Sequence, residues 1–373
     1  MKRIVPVNSS REFSSFIDFP HDLYQNDKNY VPELFIAQKD MLTPGKHPFH
    51  EHSQVQLFLA YDENKITGRI AAIFNTNYNA FVGETAGFFG FFDTIKDQET
   101  VDLLLNAAIS WVKEKGAQSI MGPVNLSTNE TCGLLIDGFD RPPMAMMAYN
   151  APYYQQLLEN AGLAKKTDLL AYEINTATAS DRSIKMIDAL ENRLQRSGIT
   201  IRQVNLKDFK NEVVKIREVY NKAWDKNLGF VPMTEKEFDY LAKDLKMVLD
   251  PRFCLVAEKD NKLVGFILGI PDINQILIKI KKGRLLPTGI FKLLFGKKNI
   301  TRLRVLTLGV LEGYRKMGIE ACLYGRVIKN TEGTKITGGE CSWMLEENYL
   351  MNHAIEQING KLYKKYRLYE KAI

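Results

Sequence analysis

The chain has 373 residues, 45% of them hydrophobic and 25% charged, which is long enough for two domains with cores of their own and too apolar for a disordered chain. Its 50 Lys and Arg outnumber its 44 Asp and Glu by a net +6, but nine of the basic residues fall between Asn274 and Arg304 with no acid among them, so the chain carries one basic patch rather than a basic surface. Its four cysteines, Cys132, Cys254, Cys322 and Cys341, form no CxxC pair, which speaks against a zinc site and a disulfide framework and for a reducing cytoplasm.

The N-terminal "MKRIVPVNSSREF" has no apolar run behind its basic residues, and no stretch of eighteen apolar residues follows anywhere, so neither secretion nor a spanning helix is expected. His47, His50 and His52 suggest a metal by composition, but no carboxylate spacing supports one; a surface or lid cluster without metal is expected. "LFLAYDENKITGRIAAI" (57 to 73) predicts two strands joined by a tight turn at Glu63-Asn64. After the strand "GFFGFFD", Val101, Leu104, Leu105, Ala108, Ile109 and Val112 form one helical face ending at Gly116, and "SIMGPV" is a strand. Residues 121 to 154 are too irregular for a helix and too long for a turn. Their Leu134, Leu135, Ile136, Phe139, Met144, Met146 and Met147 are too apolar for a linker and predict an ordered, packed loop. Within it Asn125, Asn129, Glu130, Asp137, Tyr153 and Tyr154 either contact substrate or satisfy the loop backbone and fill the core. The helical face Tyr154, Leu157, Leu158, Ala161 ends at Gly162 and runs into the basic, aromatic strand "AKKTDLLAYEI".

After "NTATASDRS" come helices near 208 to 227 and 234 to 248, and then the first pattern returns. "CLVAEKDNKLVGFILGI" (254 to 270) repeats the hairpin at an offset of 197, with Asn64-Lys65 matching Asn261-Lys262 and Gly68 matching Gly265. The strand "LRVLTLGV", a helix with Ile319, Cys322, Leu323 and Val327 inward, and the strand "ITGGECSWML" follow. Met351, Ala354, Ile355 and Ile358 repeat the later helix face at the same offset, Gly360 ends it, and "LYKKYRLYEKA" repeats the last strand. Two matches in one order predict a tandem duplication, residues 1–180 and 181–373, in an α/β (α+β mixed sheet) fold with helices on both faces.

Between strand and helix in the second copy stands "LTLGVLEGYRKMGIEACLYG". Arg315-Lys316-Met317-Gly318-Ile319-Glu320 resembles the acyl-CoA pyrophosphate loop of the GNAT acyltransferase superfamily, Arg/Gln-x-x-Gly-x-Gly/Ala, in its Arg and first Gly. Such a loop aims successive backbone N–H groups and a helix N-terminus at the phosphates. Glu320 departs from the pattern and puts a negative charge there. The resemblance implies acetyl-CoA or another acyl-CoA as co-substrate, backbone N–H groups near Leu308, Gly309 and Val310 at the oxyanion, and Asn348 or Asn352 beside the pantetheine arm. The family's thiolate-protonating tyrosine would fall near Ile355 or Glu356, so Tyr349 or Tyr363 would have to replace it. Glu340 is either a general base or a satisfied strand carboxylate.

The first copy, with "GPVNLSTNETCGLLIDGFDRPP" and "YNAPYY", is similar to a bacterial branch of tandem GNAT proteins. Its corresponding junction, "FFDTIKDQETV", lacks Gly, and its Asp93, Asp97 and Glu99 repel phosphate. The resemblance therefore implies two GNAT-like acyl-CoA N-acyltransferase domains, the first degenerate and carrying an acceptor-shaping loop. The expected activity is transfer of an acyl group, acetyl foremost, from acyl-CoA to a small-molecule amine. The alternatives are a bulkier donor, aminoacyl-tRNA or acyl carrier protein, and a non-catalytic ligand-sensing pair. Residues 274–304 suit an acidic macromolecule or an anionic membrane surface, or else form a surface helix whose apolar face packs on the second copy.

Overall fold

The computed structural model describes residues 1–178, 181–224 and 230–373, with the backbone alone at 178 and 181–185. In chain order the elements are β1 (Lys2–Pro6), α1 (Ser10–Leu23), α2 (Phe35–Leu42), β2 (Gln54–Asp62), β3 (Lys65–Phe74), α3 (Thr76–Val82), β4 (Ala86–Thr94), α4 (Gln98–Glu114), β5 (Ser119–Gly122), β6 (Leu134–Asp137), α5 (Tyr154–Asn160) and β7 (Ala164–Asn175). There follow α6 (Asp181–Arg196), β8 (Ile199–Gln203), α7 (Phe209–Ala223), α8 (Glu235–Lys246), β9 (Cys254–Lys259), β10 (Lys262–Pro271), α9 (Asn274–Leu277), α10 (Gly289–Gly296), β11 (Arg302–Val310), α11 (Ile319–Lys329), β12 (Gly338–Leu345), α12 (Tyr349–Gln357) and β13 (Lys361–Ala372).

Local chemistry accounts for several boundaries. Ser9 opens α1 with a capping box: its hydroxyl accepts the Glu12 N–H and the Glu12 carboxylate accepts the Ser9 N–H. Thr234 and Glu237 do the same for α8. The two hairpins close on Asp62↔Lys65 and Lys259↔Lys262, pairs that are again 197 residues apart. The left-handed residues after α5 and α12 are Gly162 (φ 81°) and Asn359 (φ 63°), also 197 apart. Asn359 rather than Gly360 takes the left-handed turn, which Asn tolerates better than most side chains.

The chain divides into two compact units: unit 1 is Met1–Leu169, Asn274–Leu294 and Lys364–Ile373, and unit 2 is Leu170–Ile273 and Phe295–Tyr363. In unit 1 the strands run in the order β1-β2-β3-β4-β5-β13-β7, with β6 paired to β13. Neighbours are antiparallel from β1 to β4, parallel at β4·β5 and antiparallel again at β5·β13. The last strand of the second copy is thus built into the unit that holds the first. So is the basic segment Asn274–Leu294, which carries α9 and α10 as far as Leu294. The core lies between α4 and the sheet, where Val101, Leu104, Leu105, Ala108 and Val112 are buried against Ile70, Ala72, Phe89 and Ile120.

Unit 2 carries the order β7-β12-β11-β10-β9-β8, with the latter half of β7, antiparallel pairs from β8 to β11 and a parallel β11·β12 pair. The predicted inward face of α11, Ile319, Cys322, Leu323 and Val327, is buried among Val264, Ile267, Val305 and Cys341. Helix α6 lies along α11, with Arg326 paired to Glu191 and Lys329 to Asp188. Among the described residues no helix is long and apolar enough to cross a membrane.

Candidate active site

In unit 2 the parallel ladder of β11 and β12 runs from Arg302↔Gly338 to Val305↔Cys341 and stops, although both strands continue. A bulge in the β10·β11 pairing at the same level leaves Leu306 unpaired. From Thr307 to Val310, β11 is paired among the described residues with β10 alone, in register from Leu268↔Thr307 to Gly265↔Val310. The Leu311 N–H donates to the Val264 carbonyl at 2.9 Å. Since directions alternate along a strand, the N–H groups of Leu308 and Val310 point to the opposite, open edge.

The loop that follows turns through two left-handed residues, Lys316 (φ 66°) and Gly318 (φ 91°), into α11. Gly318 is the N-cap and brings no side chain to the helix N-terminus, where the Glu320 carboxyl accepts its own N–H. A Cβ on Gly318 would meet Leu190 Cδ2 of α6 at 2.5 Å. Arg315 folds back, donating to the carbonyls of Val310 (3.2 Å) and Ala223 (2.8 Å), the last residue of α7, and so clamps loop to helix. Burial raises the Glu320 carboxyl above its usual range, against a hydrogen bond from its own N–H and the charge of Arg315, which lower it.

On the facing side, Asn348 caps α12 by accepting the Met351 N–H, and Asn352 donates to the carbonyls of Leu345 (3.0 Å) and Glu346 (3.3 Å). Two buried polar atoms here have no partner, Asn352 Oδ1 and Thr307 Oγ1. Tyr349 is 76% exposed. Glu340 is sealed beneath the sheet, accepting the hydroxyls of Ser342 and Tyr363, with Arg304 Nε at 3.9 Å. Arg304, its register partner on β11, donates to the Ser342 hydroxyl at 2.9 Å.

The corresponding place in unit 1 is a cleft of about 120 Å³, partly open to solvent. It lies where β4 bulges at Phe91, a non-glycine residue with φ 46°. Gly90 allows this: a Cβ there would sit 2.0 Å from the Val124 carbonyl oxygen. Asn125 Oδ1 accepts the Phe91 N–H at 2.8 Å. The irregular segment predicted from residues 121 to 154 forms the cleft wall with Pro123, Met146, Met147 and Tyr149, and a buried ion pair, Arg69 to Asp93 at 2.8 Å, lies against it. Gln38 donates to Glu33 at 2.6 Å, but its buried Oε1, on the cleft wall, has no partner.

Of the six loop residues singled out from the sequence, Asn125 lines this cleft. Glu130 stands 3.9 Å from His47, and Asp137 is exposed on β6. The side chain of Ser127 accepts the Asn129 N–H. Tyr153 donates to the Thr94 carbonyl, and Tyr154, fully buried, accepts the Thr94 N–H and the Tyr24 hydroxyl. Asp97 caps α4 and Lys2 pairs with both Asp97 and Glu99 at 2.7 Å, so this helix N-terminus is closed. His47 is buried rather than at the surface, its Nδ1 accepting the Phe49 N–H. Among the described residues no group of three His, Cys, Asp or Glu could hold a metal. The sequence reading missed Arg69, Tyr30 and Gln38 as cleft residues. An arginine inside the apolar run "GRIAAIF" was the available signal, since such a charge needs a buried partner.

No protein-family model matches the sequence. Over 99% of its length the chain is 35% identical to the bacterial ceramide synthase of Caulobacter vibrioides, covering 97% of that protein. It is also 36% identical to the protein YghO of Escherichia coli, over 98% of this chain and 94% of the other. The chain belongs to their family. Among solved structures, a tandem GNAT protein from the clavulanic acid biosynthesis pathway matches 100% of the chain and 98% of its own, with a TM-score of 0.58 at 9% identity. The chain therefore has the tandem GNAT fold that the Arg315 loop and the repeat resembled.

Proposed function

We propose that the chain is an N-acyltransferase that moves a long acyl group from a CoA thioester to the amine of a long-chain amino alcohol. The observation that carries this is the open edge of β11 beside the N-terminus of α11, which begins at the left-handed Gly318. A pantetheine arm is an extended chain of amides and can pair with such an edge as an added strand, while the pyrophosphate takes the helix N-terminus. The unpartnered Thr307 Oγ1 and Asn352 Oδ1 supply further hydrogen-bonding atoms for it. The acceptor class follows from the name of the Caulobacter relative, since a ceramide is an N-acylated long-chain base.

In this reading the amine lone pair attacks the thioester carbonyl carbon, and the N–H groups of Leu308 and Val310 stabilise the tetrahedral oxyanion. The C–S bond then breaks, and the proton leaving nitrogen goes to the departing thiolate, directly or through Tyr363, Tyr349 or water.

The test is to incubate the full chain with palmitoyl-CoA and sphinganine, following thiol release and amide by mass spectrometry. Acetyl-CoA, palmitoyl-acyl carrier protein and a short polar amine serve as comparisons. Equal amounts of thiol and amide from the long-chain pair are expected. Amide from acetyl-CoA and the short amine alone would replace the lipid reading with the small-substrate one, and preference for the carrier protein would change the donor. No amide from any pair would leave a ligand-binding protein.

A further inference from the structure

Helix α10 turns its apolar side outward. At about 100° per residue, Gly289, Leu293 and Gly296 fall on one side, and Ile290, Phe291, Leu294 and Phe295 on the other. Burial agrees: Gly289 is buried and Leu293 half-buried, whereas Phe291 is 58%, Leu294 61% and Phe295 66% exposed. Leu286, just before the helix, is 78% exposed. Large apolar side chains exposed together on one element mark an interaction surface. The sequence alternative, in which this face packs on the second copy, does not match: the covered positions are Gly289 and, in part, Leu293 and Gly296.

The surroundings of this face are basic. Lys279, Lys281 and Lys298 stand exposed before and after the helix, Lys292 and Lys297 donate to the carbonyls of Lys279 (2.6 Å) and Met247, and no Asp or Glu occurs from Asn274 to Arg304. Lys282 and Arg284 are paired, with Asp22 (2.6 Å) and Asp18 (2.8 Å) of α1, and anchor the insertion within unit 1. Gly283 fits against the Glu33 carbonyl, where a Cβ would lie 1.8 Å from the oxygen. The insertion is thus a held platform, with its apolar residues facing out and lysines around them.

We infer that α10 and Leu286 dock on an anionic phospholipid surface, the apolar side chains entering the interfacial layer while the lysines meet the headgroup phosphates. A short helix with aromatic and aliphatic residues on one face and lysines at its flanks suits a charged interface, which supplies apolar depth and negative charge together. An acidic protein would satisfy the lysines but leave Phe291, Leu294 and Phe295 to find an apolar groove. The inference is independent of the acyl-transfer reading.

Flotation of the full chain with vesicles of phosphatidylcholine alone, or with one third phosphatidylglycerol, tests it. Binding is expected to the anionic vesicles at low ionic strength and to fall at least tenfold at high salt. Phe291→Ser with Leu294→Ser should lower it at least tenfold, as should Lys279→Glu with Lys281→Glu and Lys298→Glu, with unchanged thermal melting, since exposed residues contribute little to stability. Absence of wild-type binding to the anionic vesicles, equal binding to both vesicle types, or binding that survives both variant sets would overturn the inference. Capture of soluble acyl carrier protein, lost in the lysine variant while vesicles stay unbound, would assign the face to that protein. If a variant does not fold, the salt and lipid dependence of the wild type still decides.

Discussion

Tyr363 donates its hydroxyl to Oε2 of Glu340, and the same carboxylate takes the Ser342 hydroxyl on Oε1 beside the buried guanidinium of Arg304. This carboxylate balances a charge that has no access to water. Glu340→Gln should therefore destabilise strongly, by about 3–5 kcal/mol, because it removes the buried carboxylate charge beside Arg304. Tyr363→Phe should cost less, about 1–3 kcal/mol for one lost partner. Urea midpoints measure both. A Glu340→Gln protein as stable as wild type would mean the network does not hold the strand, and would favour a catalytic role for the carboxylate.

Glu320 offers a pH test. Burial raises its carboxyl above the ordinary value of 4.5, so the folded chain binds this proton more tightly than the unfolded one. The resulting stabilisation is fully present below the unfolded value and is lost as pH rises through the folded one. Glu320→Gln should then match wild type in acid and exceed it at neutral pH. If the α11 N-terminus holds the CoA pyrophosphate, the same variant should also bind CoA more tightly, by on the order of 1 kcal/mol from removed like-charge repulsion. Calorimetry that finds weaker binding would place the carboxylate away from the phosphates.

His21 acts with the opposite sign. Burial, with a smaller contribution from Arg69, depresses its imidazole from 6.5 to about 3, while Nδ1 meets the Tyr30 hydroxyl at 2.9 Å. A depressed folded value means stability that is present above pH 6.5 and lost as pH falls toward 3, where the unfolded chain alone takes up the proton. The wild type should lose stability faster across that window than His21→Asn. Parallel acid limbs for the two proteins would show that His21 remains charged or exposed.

Removing Lys364–Ile373 should be far more damaging than a C-terminal truncation of this length usually is. The segment is the strand between β5 and β7, and the buried Lys364 Nζ donates to the carbonyls of Gly138 and Arg141, tying the cleft loop to β13. Residues 1–363 should aggregate or melt in two steps, and Lys364→Met alone should cost about 1–3 kcal/mol by stranding two carbonyls. A fragment 1–180 that is soluble and unfolds cooperatively would contradict this account.

Much of the fold was legible because its signals are local. The hairpin turns at Glu63-Asn64 and Asp260-Asn261, the faces of α4 and α11 and the 197-residue repeat all depend on residues a few positions apart, where periodicity and turn chemistry act. The Arg315 loop was legible for the same reason: a strand, a left-handed glycine and a helix N-terminus are one short stretch of chain.

By itself, then, the sequence determined the two hairpins, the strands and helices that follow each of them, their order and the position of the α11 loop. Tertiary structure decided which strand accepts β13, since any edge of suitable register offers the same backbone hydrogen bonds and only the whole sheet selects among them. It paired Arg69 with Asp93, turned Arg315 back onto Ala223 and sealed Tyr154 in the core, because a side chain's partner depends on what other segments bring within 3 Å or so. It also left the apolar side of α10 uncovered. A hydrophobic period states that a face is apolar, and only packing states what lies against it.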